Sequence, residues 1–411
     1  MKHDIIIVGG GASGIMAAIT AKDLGKDVAI LEGNDRIGKK LLTTGNGRCN
    51  ITNRCVDYSR YHSNNDGFFN FSLNNFNCRD LELFFNSIGL PLTVLEEGKM
   101  YPMSLQASSV LDVIRLALEE RGIPVYLNNK VKDIKIKNSE FHIFTDDREE
   151  SFQCNKLILA TGGKAAPKTG SDGIGYFIAK SFGHKIINPI PALVQLKLKY
   201  KNLKALSGIK FNGYCEVLVK GEVKRREFGE ILFTDYGISG PPILQLSGIA
   251  AKALEQGSNA DIRIDMMPQY KMNELIDFLE NHWGMFSHRT VFNSLIGIIN
   301  KKMIPIILRE AELDNMHKPC LELSWKEKKN IYNLLKNWIF KVVDTNSFSN
   351  AQVTAGGIDT KYVEAETMES KIIDNLYFCG EILDVDGDCG GFNLQWAWSS
   401  AYIAGKNAAD T

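Results

Sequence analysis

The chain has 411 residues, 44% hydrophobic and 23% charged, with 48 basic and 48 acidic side chains and a formal net charge of zero. That length exceeds one ordinary core, so two or three domains are expected, and the neutral balance gives no reason to expect nucleic acid or a membrane surface as a partner. No apolar run approaches the ~20 residues a membrane helix requires. The early strand leaves no signal peptide, and eight cysteines without a CxxC pair or zinc-type spacing fit reduced thiols, so a cytoplasmic protein with no metal is expected.

Asp4 to Val8 (DIIIV) is continuously apolar and β-branched, the pattern of a buried parallel strand. GGGASG follows, with Gly9, Gly11 and Gly14 in GxGxxG register. A helical stretch, Ile15 to Leu24, carries small residues Ala17, Ala18 and Ala21 and stops at Gly25. A second strand, Val28 to Leu31, ends at Glu32. Each part has a mechanical reason. Gly9 permits the tight turn, Gly11 lets backbone approach a pyrophosphate, and Gly14 lets helix and strand pack closely. The N–H groups after Gly11, at Ala12 and Ser13, face the phosphates, and Glu32 with Gly33 faces the adenosine ribose.

Gly38 to Asn53 is rich in Gly, Thr and Asn and carries Lys39, Lys40 and Arg48. Its cations can neutralise phosphate or a reduced cofactor. Phe68 to Ile88 and Ala107 to Arg121 read as helices, the second with a stripe of Leu111, Ile114 and Leu118. Short alternating strands are expected near Val131 to Ile136, Glu140 to Thr145 and Glu150 to Cys154. Lys156 to Gly163 (KLILATGG) is an apolar strand running into Ala160, Thr161 and Gly162, a strand end suited to lie against a bound nucleotide.

A boundary falls near Asn188-Pro189-Ile190-Pro191. Beyond it Leu193 to Lys199, Tyr214 to Lys220, Glu227 to Phe233 and Asp261 to Asp265 alternate as strands. Gln269 to Glu280, Thr290 to Asn300 and Lys326 to Val342 read as helices. Ser239 is expected to cap a helix opened by Pro241. Lys197, Lys199, Lys201, Lys204 and Lys210 form a basic patch, read as a solvated edge.

Near the C-terminus, Asn375 to Gly380 is a further strand. It delivers Glu381, then an Asp/Gly-rich loop with Asp384, Asp386 and Asp388 that reads as a solvated turn. Gly390, Gly391, Phe392 and Asn393 then open a helix from about Leu394 to Ala404. A late helix N-terminus after a strand suits the far end of a long cofactor. Its partial positive charge can stabilise an anionic reduced flavin, which favours FAD over NAD.

These segments resemble the BaiN/YhiN family of FAD-binding oxidoreductases, also described as NAD(P)/FAD-dependent or aminoacetone-oxidase-like. The resemblance spans nearly the whole chain. It rests on GKKLLTTGNGRCNITN (Gly38 to Asn53), TGSDGIGYFIAKSFGH (Thr169 to His184), GEILFTDYGISGPP (Gly229 to Pro242), VTAGGI (Val353 to Ile358) and GEILDVDGDCGGFNLQWAWSSAYIAG (Gly380 to Gly405). It implies an α/β chain in which a Rossmann-type FAD-binding domain is interrupted by an inserted β-barrel carrying a helical subdomain. The FAD domain then takes residues 1–190 and 353–411. The insert takes 191–352, with the barrel at about 191–265 and 341–352 and the helices at about 266–340. By the same resemblance Thr44, Gly45, Arg48, Cys49 and Asn50 lie near the flavin ring, and Val131 lies by the adenine. Asp235 stands where the family carries His, Phe392 replaces Tyr, Lys99 Arg, and Ala401 Gly.

The expected chemistry is reduction or dehydrogenation of a small or sterol-like unsaturated ketone, bound in a cleft between the FAD domain and the insert. A nicotinamide would be the transient electron donor, although no second GxGxxG is present. An amine oxidase acting on an aminoacetone-like substrate, a flavoprotein of RNA modification, and an FAD sensor are the other readings. Asp235 and Tyr236 are candidate proton donors. Cys49 is a candidate redox thiol against the simpler reading of a buried free cysteine. Phe392, Trp396 and Trp398 read as core aromatics rather than a substrate cage.

Overall fold

A computed structural model describes residues 1–146 and 151–410. They divide into two compact units, residues 1–191 with 348–410, and Ala192–Ser347.

The first unit is built on a parallel sheet. Strand β1 (Lys2–Val8) sits at its centre, flanked by β2 (Val28–Leu31) on one side and Phe152–Leu159 on the other. Ile5 pairs with Val28 and with Lys156, and Val8 with Leu31 and Leu159. Both faces are covered, so these strands are apolar without alternation. Helix α1 (Ala12–Asp23) is buried from Ser13 to Ala21 and packs on the C-terminal helix Phe392–Asp410. Small side chains allow that approach: a Cβ on Gly405 would lie 2.6 Å from the Ala17 carbonyl oxygen.

The strand Phe152–Leu159 is where the seven-stranded sheet branches. Its first half pairs antiparallel with Glu140–Thr145, and its second half pairs parallel with Leu376–Phe378. Burial follows the division, alternating over Phe152–Asn155 and continuous over Leu157–Leu159. The expected strand start at Glu150 lies outside the described residues.

The second unit is a closed six-stranded barrel with helices. Leu196–Lys199, the first barrel strand, pairs with Trp338–Thr345, the last, so the chain enters and leaves side by side. Inward residues alternate along the last strand (Trp338, Phe340, Val342) with exposed Ile339, Lys341 and Val343.

Several element expectations are corrected. Phe68 to Ile88 is two helices, Asn70–Asn75 and Cys78–Ser87. The Asn77 side chain accepts from the N–H groups of Arg79 and Asp80, and Asp80 returns the bond to Asn77 N, a capping box that starts the second helix. Lys326 to Val342 is the helix Trp325–Asn337 followed by the barrel strand, which begins at Trp338 rather than 341. Thr290 to Asn300 shortens to Val291–Leu295, and Gln269 to Glu280 shifts to Met272–Met285. Ser239 ends a strand, and Gly240, not Ser239, precedes helix Pro241–Glu255. The C-terminal helix starts at Phe392 and runs to Asp410, so Asn393 lies inside its first turn. No helix among the described residues is long and apolar enough to cross a membrane.

Candidate functional site

The loop after β1 is held from three sides. Gly9 N donates to Leu31 O at 2.8 Å, Gly38 N to Gly10 O at 2.8 Å, and Ala160 N to Val8 O at 2.9 Å. Gly14 is where helix and strand touch, since a Cβ there would lie 1.8 Å from the Gly9 carbonyl oxygen. Gly11, the residue before α1, is the opposite case. Nothing lies within 4 Å of the position its Cβ would take, and no side chain caps the helix. Open space above an uncapped helix start is a cradle for an anion.

Glu32 is buried at the end of β2. One carboxylate oxygen accepts from Gly10 N at 2.8 Å, and the other from Asn34 N at 2.8 Å and Asn34 Nδ2 at 2.7 Å. Asn129 N donates to Glu32 O at 2.9 Å and Asn128 N to Asn34 O, which brings buried Val131 and exposed Gly33 to the same place. Gly9, Gly11, Ala12, Ser13, Gly14, Glu32, Gly33 and Val131 are therefore brought together at one end of the sheet. Ala160, Thr161 and Gly162 border it, and Thr161 Oγ1 is buried without a partner.

The polar loop turns sharply through Gly45, Asn46, Gly47 and Cys49, all in left-handed conformation. These turns present Asn50, whose Oδ1 is buried with no hydrogen-bond partner. Thr44 neighbours the Cys49 thiol, and burial pushes that thiol up to about 11, which disfavours its thiolate form. Arg48 is exposed and lies over the Tyr101 ring, 5.0 Å from its centroid. Lys40 reaches across the chain to Glu381, Nζ to Oε2 at 2.5 Å, and Glu381 Oε1 accepts from Thr354 N at 2.8 Å.

The C-terminal segment is stitched to this loop. Gly391, at φ +100°, lies so close to Thr52 that a Cβ would meet its backbone at 2.5 Å. Thr52 donates to Gln395 Oε1, Asn53 Nδ2 to Gly390 O at 2.9 Å, and Trp398 Nε1 to Ile51 O at 3.2 Å. Gly380 N donates to Ser400 Oγ at 2.9 Å, while Trp396 Nε1 donates to Gly380 O at 3.2 Å. Asn393 turns its amide back on Gly387, accepting from its N–H at 2.8 Å and donating to its carbonyl at 2.6 Å. The backbone at Phe392, Asn393 and Leu394 forms the first turn of the helix. Trp396 and Trp398 are core residues.

The acidic loop is not a solvated turn. Asp384 and Asp388 are 4% and 2% exposed. Asp388 holds Arg60 NH1 and His62 Nε2, each at 3.1 Å, and Asp384 accepts from Asn64 N at 3.0 Å. These carboxylates pin the strand Tyr61–His62 to the loop before Gly390. Among the described residues no His, Cys, Asp and Glu cluster suits a metal ion. Asp235 and Tyr236 lie in the second unit, exposed in the turn before Gly237–Ser239. Asn346 Nδ2 donates to the Tyr236 hydroxyl at 3.0 Å. Sequence reasoning passed over Thr354, Gln395, Arg60 and His62, although Thr354 lies in the VTAGGI stretch and Thr52 and Asn53 close the Asn-rich one.

The parallel sheet, the GxGxxG turn and the opposed C-terminal helix start define a Rossmann-type dinucleotide-binding oxidoreductase fold. Residues 3–407 match the family described as HI0933-like protein Rossmann domain, and the chain belongs to that family of FAD-binding flavoproteins. It is 39% identical to a 3-dehydro-bile acid delta(4,6)-reductase of Clostridium scindens, over 98% of each chain. It is 31% identical to a ribosomal RNA dihydrouridine synthase of Haemophilus influenzae, over 97% of this chain and 96% of the other. In fold it resembles the 3-ketosteroid-delta4-(5alpha)-dehydrogenase of Rhodococcus jostii, with a TM-score of 0.50 at 13% identity, over 100% of this chain and 97% of that one. The residues present fit FAD: the space above Gly11, the uncapped start of α1 and the unpartnered acceptor of Asn50 are features a long, phosphate-bearing cofactor with ring N–H donors would complete.

Proposed function

We propose that this protein is an FAD-dependent reductase that saturates a carbon–carbon double bond conjugated to a carbonyl, on a sterol-like or small unsaturated ketone. The observation that carries the reading is the 39% identity to the bile-acid delta(4,6)-reductase over essentially all of both chains. The dihydrouridine synthase name describes the same bond change, because uridine's ring double bond is also conjugated to a carbonyl, so RNA is the second reading.

In this reading the N–H groups of Ala12 and Ser13 take the cofactor pyrophosphate above Gly11. Glu32 takes the ribose hydroxyls, beside Val131. The Lys40–Glu381 pair lies on the ribityl side, where Lys40 offsets phosphate charge and Glu381 accepts from hydroxyls. Asn50 Oδ1 accepts from a ring N–H, and Thr44, Gly45, Arg48 and Cys49 wall the ring. The start of helix Phe392–Asp410 turns its positive end to the pyrimidine edge and stabilises negative charge there. The reduced form of FAD, when bound, would be the hydride source for the β-carbon, and the α-carbon would need a proton. Reduced nicotinamide is the electron donor.

The test is anaerobic. Protein photoreduced with its FAD is mixed with a 3-oxo-4,6-diene steroid, with unmodified ribosomal RNA, or with neither. Rapid reoxidation by the steroid, with the saturated ketone as product, is the expected result. Reoxidation by RNA alone would transfer the reading to RNA modification. Reduction of oxidised protein by aminoacetone would make it an amine oxidase.

A further inference from the structure

Beside the strand Thr52–Asn53 the first unit has an open depression of about 520 Å³. Arg54, Tyr58, Asn74, Asn77, Arg79 and Glu82 line it. The side-chain hydrogen bonds there run in one direction. Tyr58 donates to Asn74 Oδ1, and Asn77 Oδ1 accepts from the N–H groups of Arg79 and Asp80. The acceptors of both amides are thus consumed within the wall, which leaves their NH₂ groups as donors. Neither the Arg54 nor the Arg79 guanidinium makes an ion pair or side-chain hydrogen bond among the described residues. With Glu82 as the acid in the lining, the site carries two cations to one anion.

A depression that offers guanidiniums and amide donors fits phosphate oxygens. The exposed ring of Tyr58 (41% exposed) adds a stacking face for an adenine base. The Tyr61 hydroxyl is buried without a partner. Burial pushes its phenol up, and the neighbouring Cys78 thiol and Tyr58 phenol, both in this wall, add to the effect. The Tyr61 ring meets the Phe392 ring edge-on at 6.0 Å, and Arg54 follows Asn53, which holds Gly390. The depression therefore adjoins the segment read above as the flavin's pyrimidine site. It is separate from the Gly11 and Glu32 cradle.

We propose that this depression docks the phosphate-bearing adenosine end of the reduced nicotinamide dinucleotide that refills the flavin. This rests on the FAD-reductase reading. It supplies what the single GxGxxG loop does not, a place for a second dinucleotide. The step balances as one hydride from the dihydronicotinamide ring to FAD with a proton from solvent, giving the oxidised nicotinamide and FADH₂.

The test uses FAD-loaded full-length protein. Titration calorimetry with ADP-ribose, and anaerobic stopped-flow reduction by NADH and NADPH, are compared in wild type, Arg54→Glu, Arg79→Glu, Arg54→Gln and Tyr58→Ala. FAD content is the folding control. The expected result is ADP-ribose binding to wild type, weakened at least tenfold by either charge reversal and less by Arg54→Gln. The dissociation constant for the dinucleotide should rise in parallel, while the limiting reduction rate holds. Wild type that binds no ADP-ribose, or equal binding in the charge reversals, overturns the site. ADP-ribose binding at the depression without reduction by either dinucleotide overturns the donor assignment. Steroid reoxidation of photoreduced wild type is scored separately, so failure of the reductase reading is distinguishable from failure of this one.

Discussion

Gly11 and Gly14, three residues apart, make opposite demands, and a pair of substitutions separates them. A Cβ on Gly14 would sit 1.8 Å from the Gly9 carbonyl oxygen, so Gly14→Ala forces apart β1 and α1. A loss of roughly 1–3 kcal/mol or more is expected, read as a lower urea midpoint of the apoprotein. Gly11 has open space, so Gly11→Val should leave the apoprotein midpoint unchanged and yet abolish FAD retention, because the branched side chain would fill the pyrophosphate's volume. Flavin retained by Gly11→Val would show that the cradle has been assigned to the wrong ligand. His184 gives a pH prediction. It is 2% exposed, bonded through Nε2 to Ser370 Oγ at 2.8 Å, and burial lowers its pKa from 6.5 to about 4. Below about pH 6.5 the unfolded chain takes up a proton that the folded imidazole refuses until about pH 4. Stability therefore falls as pH drops through that window, by up to ~3 kcal/mol. In His184→Gln the loss over this window should shrink, as denaturant titrations near neutral and near pH 4.5 would show.

At the scale of elements, the glycine-rich loops are more legible than the connections. The nucleotide turn is short-range chemistry: strand, glycines, helix and acid follow one another within Asp4 to Glu32. The joins inside the site are long-range. Gln395 accepts from Thr52 and donates to Phe76 O at 3.1 Å and Ser399 Oγ at 2.8 Å, partners that no local pattern announces. The same holds for Asp388. Its neighbours in sequence suggest a wet turn, while its partners Arg60 and His62 come from more than 300 residues away. Helix ends failed differently. Trp338-Ile339-Phe340 is apolar in both the helical and the strand period, so the helix ending at Asn337 ran on into the barrel strand. The Asn77–Asp80 box is the local signal that divides Phe68 to Ile88 into two helices. Gln395→Ala should cost about 1–3 kcal/mol, because Thr52 Oγ1 loses its acceptor and buried Phe76 O loses a donor. Asn393→Ala, which frees the Gly387 turn, should instead lower FAD retention with a smaller change in the melting temperature. Thermal melts of the two apoproteins beside their flavin content would check both.

At the scale of the whole molecule the two units depend on the chain ends in opposite ways. The first unit needs both. Its central strands come from β1 and from Leu376–Phe378 on either side of Phe152–Leu159, and α1 is covered by helix Phe392–Asp410. Removing residues from 375 onward strips a parallel strand and exposes the apolar residues of α1. Each large side chain so exposed forfeits ~1.5–3 kcal/mol, and such a truncation should not yield a folded first unit. The second unit closes on itself. Leu196 pairs with Thr345 and Lys199 with Lys341, so its two ends leave the barrel side by side. Its core, from Leu196 to Val342, draws only on residues of the same unit. A fragment of residues 192–347 should therefore fold alone, with a cooperative thermal transition and near-ultraviolet dichroism from buried Trp283 and Trp338. It should bind no FAD, since Gly11, Glu32, Asn50 and Gly391 all lie outside it. A fragment that melts without a transition would mean that the closed barrel depends on the first unit for stability. One that retains flavin would move the cofactor site off the Rossmann loop.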